Sequence, residues 1–147
     1  MDENKVIVGS KLEALLPQRY PYLFVDRIED FVIDGWAKGC KCIGVREPML
    51  LADDTVEWPG AFVVESLGQL SIALINMNAA DCAPPKILLG GVSGTSFENK
   101  VPMGCKLDLF VNIDNYIEGE SFVISGHADV AGKRMLTMNT LVAKIMN

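Results

Sequence analysis

Glu65 is the residue in this sequence best placed to do acid–base chemistry. It sits in the run Gly60 to Met77, whose other members are almost all apolar or small, so its carboxyl must be hydrogen-bonded, paired or protonated. Burial raises a carboxyl pKa and the positive end of a helix dipole lowers it, and the two effects together can poise Glu65 as a general acid or base. The plain alternative is a Glu that reaches solvent or bonds a neighbouring strand. Gln69 follows four residues on. One helical turn along the same face, its amide can orient the Glu65 carboxylate, bind a ligand, or satisfy nearby backbone. The amides of Gly60, Ala61 and Phe62 open the same run without intrahelical partners, and donors of this kind can polarise a bound carbonyl as an oxyanion hole does. Asp53 and Asp54 precede the helix and are the nearest candidates for a second acid or base, with Asp54 taken as the catalytic one; the bland reading is a solvated turn.

These residues need a helix to position them, and the pattern supplies one over Trp58 to Asn78. Val63, Leu67, Leu70, Leu74 and Met77 recur at steps of four and three, and Pro59 suits the first turn. The remaining faces are apolar or small too, which predicts a helix surrounded by sheet. Upstream, Ser10 to Leu16 reads as a short helix with Ser10 as N-cap, Glu13 completing a capping box and Pro17 ending it. Tyr22 to Ile33 and Cys40 to Val45 read as adjacent strands, and Ile87 to Val92 as another. Leu107 to Ile113, Phe122 to Val130 and Leu136 to Met146 alternate with period two, joined by turns at Glu118-Gly119 and Ala131-Gly132. Connections this short make the sheet mostly antiparallel. The expected architecture is α+β: one domain over residues 1–147, a hotdog fold in which one long central helix is wrapped by about six antiparallel strands. The competing pattern is an α+β sandwich with its helices on one face.

Composition narrows the function classes. Of 147 residues, 13 are Lys or Arg and 19 Asp or Glu, a net charge of −6, so the chain lacks the positive field that nucleic-acid binders use against phosphates. The polar start Met1-Asp2-Glu3-Asn4-Lys5 is unlike a signal peptide, and Glu65 and Gln69 interrupt the most apolar stretch, which points to a cytoplasmic protein without a membrane span. Cys40, Cys42, Cys82 and Cys105 then read as reduced thiols, with Cys40 and Cys42 sharing one strand face as small buried hydrophobes; a zinc site would need more ligands at wider spacing. The single histidine, His127, falls on the strand face opposite Phe122, Ile124, Ala128 and Val130, a solvated or interface position rather than a catalytic one. No phosphate loop, nucleophile elbow or metal-ligand helix motif occurs, so no cofactor and no metal is expected.

Leu16-Pro17-Gln18-Arg19-Tyr20-Pro21-Tyr22-Leu23-Phe24-Val25-Asp26-Arg27 resembles the N-terminal signature of FabZ-type 3-hydroxyacyl-acyl-carrier-protein dehydratases, which typically runs LPHRYPFLLVDR. Pro59-Gly60-Ala61-Phe62-Val63-Val64-Glu65-Ser66-Leu67-Gly68-Gln69 resembles that family's start of the hotdog helix, with Glu and Gln in register, and Gly91, Phe97 and Val101 to Gly104 resemble the strand and turn that follow. The resemblance implies a dimeric hotdog enzyme of fatty-acid or polyketide-type synthesis whose acyl tunnel lies between subunits. It matches Glu65 to the catalytic acid and sets Gln69, Gly60, Ala61, Phe62, Trp58 and Gly91 about the substrate. In the family a His removes the α proton; counting back ungapped from Glu65 puts Leu51 at that place. Trp58-Pro59-Gly60 and the lost His also resemble a divergent dehydratase-like branch found beside aryl-polyene and related lipid genes, whose members can pair with an active dehydratase.

Three functions follow: dehydration of a 3-hydroxyacyl thioester, or its reverse, with Glu65 as acid–base residue; a non-catalytic hotdog subunit that pairs with an active paralogue; or a hotdog thioesterase in which Glu65 activates water. The expected partners are acyl carrier protein or coenzyme A thioesters and a second subunit in a homodimer, a heterodimer or a higher oligomer. Arg19, Arg46, Lys100, Lys106, Lys133 and Arg134 are the basic residues available to steer an acidic carrier.

Overall fold

A computed structural model describes residues 5–48, 57–77 and 86–146. In chain order the elements are α1 (Ser10–Glu13), β1 (Arg27–Val32), β2 (Trp36–Cys42), β3 (Glu57–Trp58), α2 (Gly60–Met77), β4 (Lys86–Phe97), β5 (Val101–Pro102), β6 (Lys106–Ile117), β7 (Ser121–Val130) and β8 (Lys133–Met146). Six strands form one sheet in the order β1-β2-β6-β7-β8-β4, and every neighbouring pair is antiparallel. β3 and β5 form a separate two-stranded ribbon just ahead of α2.

The sheet curls around α2 because the alternating strands offer it one apolar face. Leu107, Leu109 and Val111 of β6, Ile124 and Ala128 of β7, and Met138, Leu141 and Ala143 of β8 are buried together with Leu67, Leu70 and Leu74 of the helix. Burial of this kind contributes about 25 cal/mol for each Å² of apolar surface removed from water. From Ser66 to Met77 every residue of α2 is buried, as an all-round apolar helix requires. By length and composition α2 passes for a bilayer span, but 72% of it is buried inside the protein and it is the core helix. This is the hotdog arrangement.

Glycines set how closely the layers approach. A Cβ on Gly126 would stand 2.6 Å from the Phe110 carbonyl oxygen, one on Gly39 2.7 Å from that of Arg27, and one on Gly68 2.6 Å from Leu89 Cδ1. Gly39 therefore lies within a strand rather than before one. β2 begins at Trp36, not Cys40, and the turn into it uses Asp34 at φ 62° and Gly35.

Other boundaries differ from the sequence reading for local reasons. α1 ends at Glu13 and its N-cap is Gly9, at φ 59°, with no side-chain cap bond; Ser10 is the first helical residue and the capping box does not form. β1 begins at Arg27 rather than Tyr22, because the Tyr22 and Phe24 main chain bonds a side chain of α2 instead of a strand. Cys40 is buried but Cys42, at the end of β2, is exposed, so the two do not share a buried environment. Burial, and then the neighbouring Glu29 carboxylate, push the Cys40 thiol up to about 12. Cys105 is half-buried and its thiol is raised by burial, and Cys82 lies outside the described residues. No cluster of three His, Cys, Asp or Glu side chains suited to a metal exists among the described residues.

The contact of Gly126 with main chain makes its cost measurable. Gly126→Ala forces β7 away from the Phe110 carbonyl and should lower unfolding free energy by about 1–3 kcal/mol, as overpacking does. A urea titration reads this as a lower midpoint at unchanged slope; an unchanged midpoint would show that the sheet gives way freely.

Candidate functional site

The site is built where α2 starts. Pro59 precedes the helix and its carbonyl accepts from the amides of Phe62 (2.9 Å) and Val63 (3.3 Å). The Phe62 amide is thereby engaged, and Gly60 and Ala61 are the helix-start amides with no acceptor among the described residues. Trp58, 2% exposed, Phe24 and Phe62 pack as a trio with ring centroids 5.2 to 5.6 Å apart, edge-on or tilted, which wedges the helix start against the N-terminal segment. On the other side the Phe97 ring lies over Gly60: a Cβ there would stand 2.5 Å from Phe97 Cε1, and the exposed ring would have to swing aside.

Gln69 is 1% exposed and fully used. Its Oε1 accepts from Phe24 N–H (2.7 Å), and its Nε2 donates to the Tyr22 carbonyl (2.9 Å) and to Glu65 Oε1 (3.0 Å). The two outcomes open to Gln69, satisfying backbone and orienting Glu65, are thus realised at once. The backbone contacts fix which end of the amide faces the carboxyl, so Glu65 meets an N–H donor. Glu65 itself is half-buried. Tyr22 and Phe24 act through main-chain atoms, which no side-chain pattern marks; the one signal was an aromatic run directly after Pro21.

A cavity of about 630 Å³ adjoins the helix start on the side of Gly60 and Val63, between β3, the Phe97–Val101 corner, and Met135 and Leu136 of β8. Lys100 stands at its edge, 3.8 Å from Glu57. Glu65 does not line this cavity; it points from another side of α2, with Ala61 one turn before it and Gln69 one turn after. Gly91 lies on the edge strand β4, beside the register shift after Leu89, with open space where a Cβ would be. Asp53, Asp54 and Leu51 lie outside the described residues.

His127 is remote from this constellation. It stands on the sheet face away from α2, stacked on Phe110 at 5.0 Å between centroids, with Nδ1 3.4 Å from Asp129 Oδ2. Its neighbour Gly126 faces inward, toward Leu67 of α2. Burial, and then the Arg134 guanidinium, hold the His127 pKa below its usual value, with Asp129 opposing.

Curated relatives share this sequence over most of its length. A FabZ 3-hydroxyacyl-[acyl-carrier-protein] dehydratase of Cereibacter sphaeroides is 31% identical over 126 residues, covering 83% of this chain and 80% of the relative. The chain belongs to the FabZ-type dehydratase family. A FabZ of Clostridium beijerinckii is 30% identical over 139 residues, covering 91% and 96%. No family model matches the chain. Among solved structures, a chain of the dehydratase heterocomplex ApeI:P from Xenorhabdus doucetiae superposes with a TM-score of 0.79 at 17% identity, covering 92% of this chain and 91% of that one, which shows the shared hotdog fold. This FabZ-family chain thus sits among lyases of the dehydratase kind.

Two measurements check the site's physics. Gln69→Leu strands the buried Phe24 amide and leaves the partly buried Tyr22 carbonyl to water, and should cost about 1–3 kcal/mol, the penalty of one buried unsatisfied group; a loss below about 0.5 kcal/mol by urea unfolding would contradict the clamp. The folded protein holds His127 below the ordinary histidine value of 6.5. The unfolded chain therefore takes up the proton first as pH falls, and the contribution of neutral His127 is present above about pH 6.5 and lost on acidification below it. His127→Gln should flatten that part of the stability–pH curve; an unaltered slope would show that burial leaves this histidine unperturbed.

Proposed function

We propose that this protein dehydrates 3-hydroxyacyl thioesters delivered on acyl carrier protein, with Glu65 as the acid–base residue. What supports the reading is the Glu65–Gln69 hydrogen bond at the start of a buried helix, in a chain that belongs to a dehydratase family. The amides of Gly60 and Ala61, without an acceptor among the described residues, suit the thioester carbonyl, whose oxygen gains charge as the α proton leaves. A base takes the proton from C2, the C2–C3 double bond forms, and the 3-hydroxyl departs as water with a proton from Glu65. Asp54, with Asp53 beside it, is the local candidate for that base. Trp58 and Phe62 form the apolar wall near the reacting carbons, and Gly91 keeps the strand beyond it open.

On this reading a second chain completes the site, and the assembly works in the cytoplasm. β4 is twelve residues long, pairs among the described strands only with β8, and exposes Leu88 and Val92; its other edge offers a row of backbone groups suited to a second chain. Glu65 and Ala61 stand on a side of α2 that the chain's own sheet leaves partly uncovered. Carrier protein, being acidic, is steered by basic residues, and Lys100 lies in the lining of the helix-start cavity.

A second reading, a non-catalytic subunit paired with a histidine-bearing dehydratase, is favoured by the position of the sequence's only histidine on the sheet's outer face. The dehydratase heterocomplex of the same fold is a precedent for a complex of unlike chains.

Glu65→Gln keeps an acceptor for Gln69 but cannot give up a proton. It should lower turnover of a 3-hydroxyacyl-carrier-protein thioester by about 10²–10⁴-fold with an unchanged unfolding midpoint. Undiminished turnover would rule out Glu65 as the acid, and turnover seen only after adding a histidine-bearing paralogue would select the second reading.

A further inference from the structure

A second cavity, of about 430 Å³, lies toward the other end of α2. Leu15 and Pro17 after α1, Ile72 of α2 and Ile87 of β4 give it apolar walls. One polar side chain in that wall, Asn76, is only 6% exposed. Its Nδ2 donates to the Leu15 carbonyl at 2.8 Å, which fixes the orientation of the amide and leaves Oδ1 as the second group to be satisfied. That oxygen is buried and has no hydrogen-bond partner among the described residues. Buried acceptors are nearly always paired, so an orphan in the wall of a cavity large enough for a small molecule points to a donor that arrives with a ligand.

The surroundings select the donor's chemistry. A carboxylate would set acceptor against acceptor in an apolar pocket, at a large desolvation cost. An ammonium group would meet Arg19 and Lys86 at the rim, where Glu13, the one carboxylate among the described lining residues, already stands 3.9 Å from Arg19. A neutral hydroxyl on an apolar body satisfies both conditions. Asn76 lies three helical turns beyond Glu65, ~16 Å along the axis at ~1.5 Å per residue, and the clamped Gln69 stands between them. We infer that this cavity binds an apolar alcohol or phenol whose hydroxyl donates to Asn76 Oδ1, at a site separate from the helix start and independent of the dehydratase reading.

The test is a titration of the isotope-labelled full-length protein with 4-ethylphenol and with its methyl ether, which has the same body and no donor. The phenol should shift the Asn76 side-chain amide signals and bind about tenfold more tightly than the ether, the worth of one hydrogen bond to an otherwise unsatisfied group. Ile87→Trp, which fills the cavity and leaves Asn76 in place, should abolish phenol binding. Equal affinity for phenol and ether, an unmoved Asn76 signal at saturating phenol, or undiminished binding to the Ile87→Trp protein would each overturn the inference.

Discussion

The hydrogen bonds of Gln69 are the constraint on which the helix start depends. α2 is held in its sheet by apolar burial, which is strong but indifferent to small slides and rotations. Gln69 removes that freedom: the Tyr22 carbonyl and the Phe24 amide fix both ends of its side chain, and only one rotation of α2 lets it reach them. The remaining Nε2 hydrogen then bonds Glu65. The carboxyl is thereby positioned through the N-terminal segment, by side-chain-to-backbone bonds that span more than forty residues of sequence.

The aromatic trio and the glycines work to the same end. Phe24 links the clamp to the wedge, since its amide bonds Gln69 while its ring packs on Trp58 and Phe62. Gly60 lets the Phe97 ring close over the first helical residue, and Gly68 lets α2 approach Leu89 of the edge strand. The helix start is consequently held on several sides, while Glu65 stays half-buried and Ala61 exposed.

Much of this was legible in the sequence because it follows from periodicity. The helical spacing of Val63, Leu67, Leu70 and Leu74 and the two-residue alternation in β6 to β8 are burial patterns, and burial is what the fold obeys. Features that depend on backbone contacts were not legible. Nothing in the residue types around Tyr22 says that its carbonyl will meet a Gln side chain, so the segment read as strand. Gly39 read as a strand boundary because its crowding against Arg27 exists only once β1 and β2 are paired. The β3–β5 ribbon, two residues on each side, is too short to have a period. At the site, Glu65 and Gln69 stood out as polar residues in an apolar helix; the engagement of the Phe62 amide by Pro59 did not, because it depends on the exact turn at which the helix begins.

The most direct test of the account is a crystal structure of the Glu65→Gln protein with a 3-hydroxyacyl-pantetheine thioester bound. The account predicts the 3-hydroxyl within hydrogen-bond distance of the side chain at position 65, the thioester carbonyl at the amides of Gly60 and Ala61, and Gln69 still bonded to Tyr22 and Phe24. An acyl group seated away from position 65, with the Gln69 bonds intact, would contradict it.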